Sequence, residues 1–215
     1  MKIYKQPLII TTILLSLFVL HGCSTLNKNE CINANWYQIG FEDGNKGHSM
    51  EQISRHRTSC AEHGISVDLN QYRLGREEGL TLYCVPHKGL ERGKRGKSYT
   101  GVCSQHNETA YIRAFDYGYY LYDLRTHIKK REHHLSGIQH EYEHVTNDIN
   151  DIEAQIISDK TSPEKRKNLL NKAKHLTHKQ SRIHVSIANL REDIRSLKDD
   201  YREANSRRTI KKYLP

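Results

Sequence analysis

Apolar residues recur every three or four positions through the second half of the 215-residue chain. One stripe runs from Leu121 to Ile156 and is interrupted only by Arg131, and a second stripe runs from Leu169 to Tyr201. Residues 158–164 break the pattern with polar residues and then a Thr-Ser-Pro-Glu sequence, which is typical of a helix start. The pattern predicts two long helices that fold back on each other as an antiparallel coiled-coil hairpin over residues 108–210.

A turn centred on Lys160 sets which residues face each other across this hairpin. The facing pairs that it predicts are Ile138 with Ile183, Tyr142 with Gln180, Glu141 with Lys179, and Glu132 with Arg191. In most of these pairs the two residues are both apolar or carry opposite charges, which favours the register. An intermolecular bundle built on the same stripes is the alternative.

The first half has shorter helical segments that end at glycine or proline. Asn35 and Asp68 have the character of helix caps, and Ser49 starts a segment with capping-box spacing. Pro86 ends the helix that contains Tyr72. We therefore expect an all-α protein, with a small helical domain over residues 31–107 ahead of the hairpin.

A tyrosine-glycine spacing recurs in this half. Tyr37-x2-Gly40-x3-Gly44 has the same spacing as Tyr72-x2-Gly75-x3-Gly79, and two looser versions follow at residues 111–118 and 89–93. Residues four apart lie on one face of a helix, so paired glycines let a neighbouring backbone approach closely. Close helix packing is the favoured interpretation, and glycines that line a ligand groove are the alternative.

The first residues have the features of an export signal. Lys2 and Lys5 precede an apolar run over residues 8–20, which is shorter than the ~20 residues that span a bilayer. A Leu-x-Gly-Cys motif at residues 20–23 resembles the lipobox of bacterial lipoproteins, in which the cysteine is acylated and becomes the new N-terminus. The motif predicts a signal peptide over 1–22, a lipidated Cys23, carrying palmitate or a similar chain, and a tether over 23–30. An ordinary cleaved signal and a short membrane anchor are the alternatives.

Ser24 follows the lipidated position, which by analogy with other lipoproteins favours sorting to the outer membrane with the folded part facing the periplasm. In that oxidising compartment an even number of remaining cysteines indicates two disulfides. The candidates are Cys31, Cys60, Cys84 and Cys103. Three pairings are possible, and the sequence does not choose among them. A four-cysteine zinc site is disfavoured because no Cys-x2-Cys pair is present.

The positive charge lies in the hairpin. Residues 24–124 carry 12 basic and 12 acidic side chains, whereas residues 125–215 carry 20 basic and 13 acidic ones. In the envelope such an excess favours an anionic envelope polymer or a protein partner, in addition to the membrane reached through the lipid anchor. We expect no nucleic-acid partner.

Few residues have a spacing that indicates chemistry. His140 and His144 are four apart and could chelate a metal, although the heptad places them on the outer face, where a pH-responsive or merely solvated surface is the simpler interpretation. Asp43 and His56 with Glu77 or Glu78 are the only acid–base candidates, and their spacing matches no catalytic motif. We expect no catalytic residues and no cofactor.

The order of cysteines, glycines and aromatic residues resembles an uncharacterised family of bacterial lipoproteins, the domain-of-unknown-function family 2799, over roughly residues 31–150. The segments that carry the resemblance are Cys31, Trp36-Tyr37-x2-Gly40-x2-Asp43-Gly44, His56-x3-Cys60, Tyr72-x2-Gly75-x3-Gly79-Leu80-x2-Tyr83-Cys84-x-Pro86-x2-Gly89 and Tyr99-x-Gly101-Val102-Cys103. The resemblance implies an envelope location and no established activity.

These observations lead to one functional hypothesis and two alternatives. The hypothesis is a non-enzymatic envelope lipoprotein, structural or adaptor in role, whose coiled-coil arm docks a protein partner or an envelope polymer. The first alternative is a small-ligand or anion-binding module in the glycine-rich half. The second, disfavoured alternative is a hydrolase.

Overall fold

The computed structural model describes residues 26–214, so the predicted export signal, Cys23 and residue 215 lie outside the described part. Of the described residues, 77% are helical and none lies in a β-strand. The all-α fold class, with a disulfide-braced N-terminal region and a long helical hairpin, is confirmed. Within residues 26–214, none of the helices combines the length and the apolarity that a membrane crossing requires.

The described residues form eight α-helices. In chain order they are α1 (Lys28–Ile32), α2 (Trp36–Asn45), α3 (Glu51–Ala61), α4 (Leu69–Tyr83), α5 (Pro86–Lys94), α6 (Glu108–Ile157), α7 (Pro163–Ala204) and α8 (Arg207–Ile210). They belong to two compact units. The first unit contains the described residues up to Cys84 together with Thr100–His106, and the second contains Val85–Tyr99 and the chain from Asn107 onward. Residues 85–99, which the sequence division placed with the first domain, thus cluster with the hairpin.

Two of the predicted helix starts have side-chain caps and one does not. Asn35 accepts a hydrogen bond from the backbone N–H of Gln38, and Asp68 accepts two from the first turn of α4. The capping box expected at Ser49 is wrong, because α3 begins after Met50 without a side-chain cap. The Ser49 hydroxyl instead donates to the Glu51 carboxylate over 2.9 Å.

Helices α2 and α4 pack through their glycines in the first unit. A Cβ atom added to Gly40 would lie 2.1 Å from the Tyr72 carbonyl oxygen, and one added to Gly75 would lie 1.9 Å from the Tyr37 carbonyl oxygen. Gly44 and Gly79 meet the opposite backbone in the same reciprocal way. Since real Cβ atoms do not approach so closely, only glycine permits this backbone separation. The packing interpretation of the repeated spacing is confirmed, because these glycines face a helix backbone and not a ligand groove.

Helices α5 and α6 repeat this packing in the second unit. A Cβ on Gly93 would lie 2.1 Å from the Phe115 carbonyl oxygen, and one on Gly118 would lie 2.2 Å from the Leu90 carbonyl oxygen. The loop after each first helix has a left-handed glycine, Gly47 with φ of 72° and Gly96 with φ of 66°, and each lies against a tyrosine ring of the partner helix.

The two helix pairs are therefore copies of one motif. Along the first helix of each pair and into the loop after it, the glycines are spaced four and then three apart, at 40, 44 and 47 and at 89, 93 and 96. The second helix has tyrosine, a small residue, glycine and tyrosine at 72, 75, 79 and 83 and again at 111, 114, 118 and 122. The sequence comparison found the looser segments but did not pair them into a second copy.

The four described cysteines form two disulfides, both in the first unit. Cys31 bonds to Cys60, 29 residues away, and Cys84 bonds to Cys103, 19 residues away. In each copy of the motif, the disulfide joins the segment before the first helix to the segment before the second. The sequential pairing is one of the three that the sequence left open, and it leaves no thiol of the four for a zinc ion.

The hairpin of α6 and α7 has a buried apolar seam in the second unit. Ile138 and Ile183 belong to one cluster around Val145 and Ile149, as the register predicts. Ser162 caps α7, and Pro163 occupies its first turn. The turn is closed by the buried Thr161, whose hydroxyl donates to the Gln155 carbonyl over 2.7 Å.

The polar pairs across the seam follow the predicted register only in part. Glu141 pairs with Lys179 at 2.7 Å, as expected. Glu132 instead pairs with Lys198 at 2.7 Å, and Gln180 donates to Thr146 over 2.8 Å instead of meeting Tyr142. Lys198 lies about two turns along α7 from the expected partner Arg191, so the backbone register does not determine which charged residues pair.

Candidate functional sites

A buried polar cluster lies between α2, α3 and α4, centred on Asp43. The carboxylate oxygen Oδ2 accepts hydrogen bonds from the Tyr72 hydroxyl and from His56 Nε2, both over 2.9 Å. The other oxygen, Oδ1, is 3.1 Å from His48 Nδ1. Asp43 and His56 are each 5% exposed and Tyr72 is fully buried. We call these four residues the Asp43 cluster.

The electrostatics of the cluster keep Asp43 ionised. Burial by itself raises the pKa of Asp43, but the hydrogen bonds from His56, Tyr72 and His48 outweigh burial and hold the pKa below its ordinary value. Burial and the neighbouring Asp43 charge raise the pKa of Tyr72 far above its usual value. Asp43 is therefore an acceptor-only anion, and Tyr72 remains a hydroxyl donor to it at neutral pH.

One arginine extends this cluster to the loop after α2. Arg76 is buried, and its Nε and Nη2 donate to the His48 carbonyl over 3.2 and 2.9 Å. The loop residue His48 is thus held through its ring by Asp43 and through its carbonyl by Arg76. Because every polar partner comes from within the fold, the arrangement joins three helices and a loop as a structural brace.

The predicted acid–base candidates do not converge. Asp43 and His56 come together, but Glu77 is half exposed and pairs with Arg76 at 3.4 Å and His106 at 3.1 Å. Glu78 accepts a hydrogen bond from the Tyr37 hydroxyl, which raises the pKa of Tyr37. Acid–base catalysis needs a proton donor and acceptor aimed at one substrate atom. The Asp43 oxygens face internal donors instead, and neither glutamate reaches them.

The histidine pair predicted as a metal candidate is solvent-exposed on α6. His140 and His144 are both exposed, and the one partner shown for His140 is Glu143, 3.6 Å away. Among residues 26–214, no group of three or more histidine, cysteine, aspartate or glutamate side chains is placed to hold a metal ion. The pair therefore remains a two-ligand surface feature.

The outer surface of the hairpin carries large apolar side chains that the seam does not use. Ile157 is 80% exposed, Val185 57% and Leu170 56%. A few isolated exposed apolar residues are ordinary on a protein surface. The hairpin is otherwise apolar at its seam and polar on its outer surface. These exposed apolar residues are therefore the positions most suited to contact another molecule.

Basic residues form a second surface feature on α7. Arg191, Arg195, Lys198 and Arg202 line a shallow groove of about 480 Å³. Three of these cations already have acidic partners, since Arg195 pairs with Glu192, Lys198 with Glu132 and Arg202 with Asp199. This groove therefore presents less free positive charge than the residue count suggests.

Sequence reasoning missed Tyr72 and His48 as partners of Asp43, because a hydrogen bond across 29 residues has no local pattern. It also passed over a dense aromatic run at residues 115–122, although this run is visible in the sequence. Five of its eight residues are aromatic, and the others are aspartate, glycine and leucine. The predicted lipidation site, Cys23, lies outside the described residues, so its prediction stands as made.

Comparison with known proteins finds one family model that matches part of the chain. Residues 35–120 match the family model described as "Protein of unknown function (DUF2799)", which confirms the resemblance drawn from the cysteine and glycine spacing. The match covers α2 to α5 and the first turns of α6 and ends at residue 120, so most of the hairpin lies outside it. No curated protein and no solved structure matches the chain.

Proposed function

We propose that this protein is a non-enzymatic lipoprotein of the cell envelope, anchored to the outer membrane through Cys23 and facing the periplasm. In this role each of the two disulfide-braced helix pairs is a structural support. The hairpin of α6 and α7 is an adaptor arm that docks a protein partner, with an envelope polymer as the alternative occupant.

The address is supported by two independent features. One is the apolar segment that ends in Leu-x-Gly-Cys at residues 20–23. The other is the pair of disulfides, Cys31–Cys60 and Cys84–Cys103, since structural disulfides persist in exported proteins and are rare in reducing compartments. Both features point to a compartment outside the cytoplasm.

The observation that carries the adaptor role is the arm itself. Its two helices have 50 and 42 residues, and they bury a single seam while their outer faces stay in solvent. Each ordered residue of the arm costs conformational entropy, as in any fold, but the arm offsets this cost with less burial per residue than a compact domain. Docking through the exposed residues Ile157, Leu170 and Val185 gives that length a use.

The hydrolase alternative has no support of this kind. The one buried carboxylate of the candidate set, Asp43, is held by His56, Tyr72 and His48, and it acts as a brace. The ligand-groove alternative loses its basis because Gly40, Gly44, Gly75 and Gly79 face helix backbones. A binding role elsewhere on the surface is compatible with the adaptor role.

Site-specific photo-crosslinking in living cells tests the docking role. A photoreactive residue is introduced at Ile157, Leu170 or Val185, with Leu74 on α4 as the matched control because it is 61% exposed and lies in the first unit. We expect one adduct of the same mass from the arm positions and none from Leu74. Equal labelling at all four positions, or no adduct from the arm, would contradict the proposal.

Shortening the arm supplies the second measurement. Ile138 and Ile183 pack in one cluster, so replacing residues 139–182 by a short glycine-containing turn removes the distal arm and keeps the register. The variant should keep both disulfides and both helix pairs but lose the adduct formed from the remaining exposed arm position, Val185. In parallel, Cys23→Ser should move the protein from the membrane fraction to the soluble fraction, and an unchanged distribution would refute the lipid anchor.

A further inference from the structure

An aromatic surface lies along the first turns of α6. Some of its rings pack within the fold, since Tyr122 lies against Gly96, and others are exposed. Tyr119 and Tyr120 are each 46% exposed, whereas the neighbouring Gly118 and Leu121 face inward. Two series of rings meet on this surface of the second unit. The members are Tyr99, Phe115, Tyr119 and Tyr122 in one series and Tyr120, Tyr117 and Tyr213 in the other. We call this surface the aromatic strip.

The strip borders two shallow grooves that share a ridge. One groove has a volume of about 540 Å³ and contains Tyr99 and Tyr119, and the other has a volume of about 600 Å³ and contains Tyr117 and Tyr213. Asp116 and Tyr120 line both grooves and form the ridge between them. Volumes of this size are usual for small-ligand sites, which occupy roughly 300–1,000 Å³.

The walls of the second groove are fixed before any ligand arrives. The Tyr117 hydroxyl donates to the Ala204 carbonyl over 2.8 Å, and its ring stacks on Tyr213 at 3.8 Å and 9°. Rings held in this way lose little conformational entropy on binding, which is an advantage for a weak, open site. The surface therefore has a preformed aromatic platform.

The polar groups on the strip define the ligand chemistry. Asp116 and Asp123 line the grooves as carboxylates, which accept hydrogen bonds and donate none. Arg113 lines the second groove, and Arg125 lies with its guanidinium carbon 5.8 Å from the centre of the Tyr122 ring. The charges of these two acidic and two basic side chains cancel, so the surface favours a ligand without net charge. Such a ligand should be rich in hydrogen-bond donors and have flat apolar faces.

We propose that the aromatic strip binds the sugar strand of a β-linked cell-wall glycan. A sugar ring with equatorial hydroxyls presents C–H groups on its faces, which the electron-rich face of a tyrosine attracts. Its edge carries hydroxyl donors for Asp116 and Asp123. A proline-rich peptide, the other common ligand of aromatic grooves, has no N–H at its prolines and would offer no donor to Asp116, whereas Asp123 also has His127 at 3.6 Å.

The strip extends along one helix and suits a polymer. From Thr109 to Asp123 the lining residues rise ~21 Å at 1.5 Å per residue, which is the length of several linked sugar rings. The choice of a cell-wall glycan rests on the proposed envelope address, whereas the binding chemistry of the strip does not depend on it. The site is also separate from the exposed arm residues, so the two proposals fail independently.

Co-sedimentation with purified peptidoglycan sacculi tests this site, using the full-length chain in detergent. We expect binding that soluble chitotetraose inhibits, because the tetrasaccharide offers the same β-linked amino-sugar backbone without peptide stems. Binding that chitotetraose leaves unchanged would assign recognition to the stems and overturn the proposal. Absence of binding to sacculi would also overturn it, as would binding of a decaproline peptide that chitotetraose does not displace.

Variants locate the binding on the strip. Tyr120→Ala should weaken binding by roughly three- to tenfold, the effect of removing one aromatic stacking contact, while Tyr120→Phe keeps the ring and should stay within about twofold. Asp116→Asn should weaken binding by about threefold or more, because an amide replaces one charged acceptor. Leu74→Ala is the control, at an exposed site of the first unit. Unchanged binding by Tyr120→Ala, with unchanged circular dichroism, would refute the site.

Discussion

The pair α2·α4 and the pair α5·α6 share one scheme of backbone packing but have different side chains at corresponding positions. In both, a fully buried tyrosine starts the contact on the second helix, Tyr72 in one and Tyr111 in the other. Tyr72 donates to the buried Asp43, but the residue at the corresponding position of α5 is Arg92. The first pair therefore has a carboxylate at this position, and the second pair has an arginine.

An arginine performs the same task from opposite helices in the two pairs. Arg76 on α4 donates to the carbonyl of His48, in the loop after α2. Arg92 on α5 donates over 2.8 Å to the carbonyl of Ser98, in the loop after α5. Glycine contacts thus fix the helix separation, while the polar residues that close each loop are free to change place. We expect any functional difference between the two helix pairs to come from the residues that they do not share.

The largest expected effect comes from breaking the glycine contacts. Gly75→Ala and Gly118→Ala each place a Cβ about 2 Å from a backbone oxygen of the partner helix, so the helices must separate. We expect each substitution to reduce the free energy of unfolding by about 3 kcal/mol, the upper range for overpacking a core. Urea denaturation of the oxidised chain measures the loss.

Amide hydrogen exchange then tests whether the two pairs are equivalent. Gly75→Ala should increase exchange in α2 and α4, and Gly118→Ala should increase exchange in α5 and the start of α6. A loss below about 1 kcal/mol in either variant would show that the helices can part easily, contrary to the shared packing scheme.

Much of this architecture was accessible from the sequence. The hairpin followed from a continuous 3.6-residue apolar period, and the close packing of α2 on α4 followed from the Tyr37 and Tyr72 spacings. Local patterns of this kind are determined by residues near one another in the chain. The resemblance to a family, carried by ordered cysteines and glycines, was confirmed over residues 35–120.

The remainder depends on contacts between distant residues. The pairing of Cys31 with Cys60 follows from how three helices meet, which four equivalent thiols cannot reveal. Glu132 pairs with Lys198, which the sequence did not predict, because a long side chain can reach several partners at nearly equal energy. The Asp43 cluster gathers residues from positions 43 to 72, and only the folded glycine contact brings Tyr72 within reach.

A medium effect is expected from removing the carboxylate that distinguishes the first pair. Asp43→Asn replaces a buried anion that accepts from His56, Tyr72 and His48, and should reduce stability by about 2 kcal/mol at pH 7, typical for hydrogen bonds to a charged group. Glu42→Gln is the control, because Glu42 is exposed and its partners, Lys46 at 3.6 Å and Gln38 at 3.5 Å, lie on the surface beside it. The control should change stability by less than about 0.5 kcal/mol.

The pH dependence identifies Asp43 as the cause. Its pKa is lowered in the folded state from an ordinary value of 3.8, so its contribution is complete above that value and is lost as the pH falls through the folded pKa. The stability difference between the wild type and Asp43→Asn should thus be constant from pH 5 to 7 and shrink in acid below about pH 4. A difference that grows in acid would contradict an ionised Asp43.

The smallest effect, opposite in sign, is expected at a glycine that belongs to neither pair. A Cβ added to Gly137, in the middle of α6, meets no atom within 4 Å. Alanine there removes the conformational entropy cost of a helical glycine, so Gly137→Ala should raise the free energy of unfolding by roughly 0.5–1 kcal/mol and the Tm by a few degrees. Thermal unfolding followed by circular dichroism measures the gain. Because the same substitution is costly at Gly75 and Gly118, opposite signs attribute the loss there to the backbone contact and not to glycine in a helix as such. A loss at Gly137 would instead mean that its outer face contacts another copy of the chain.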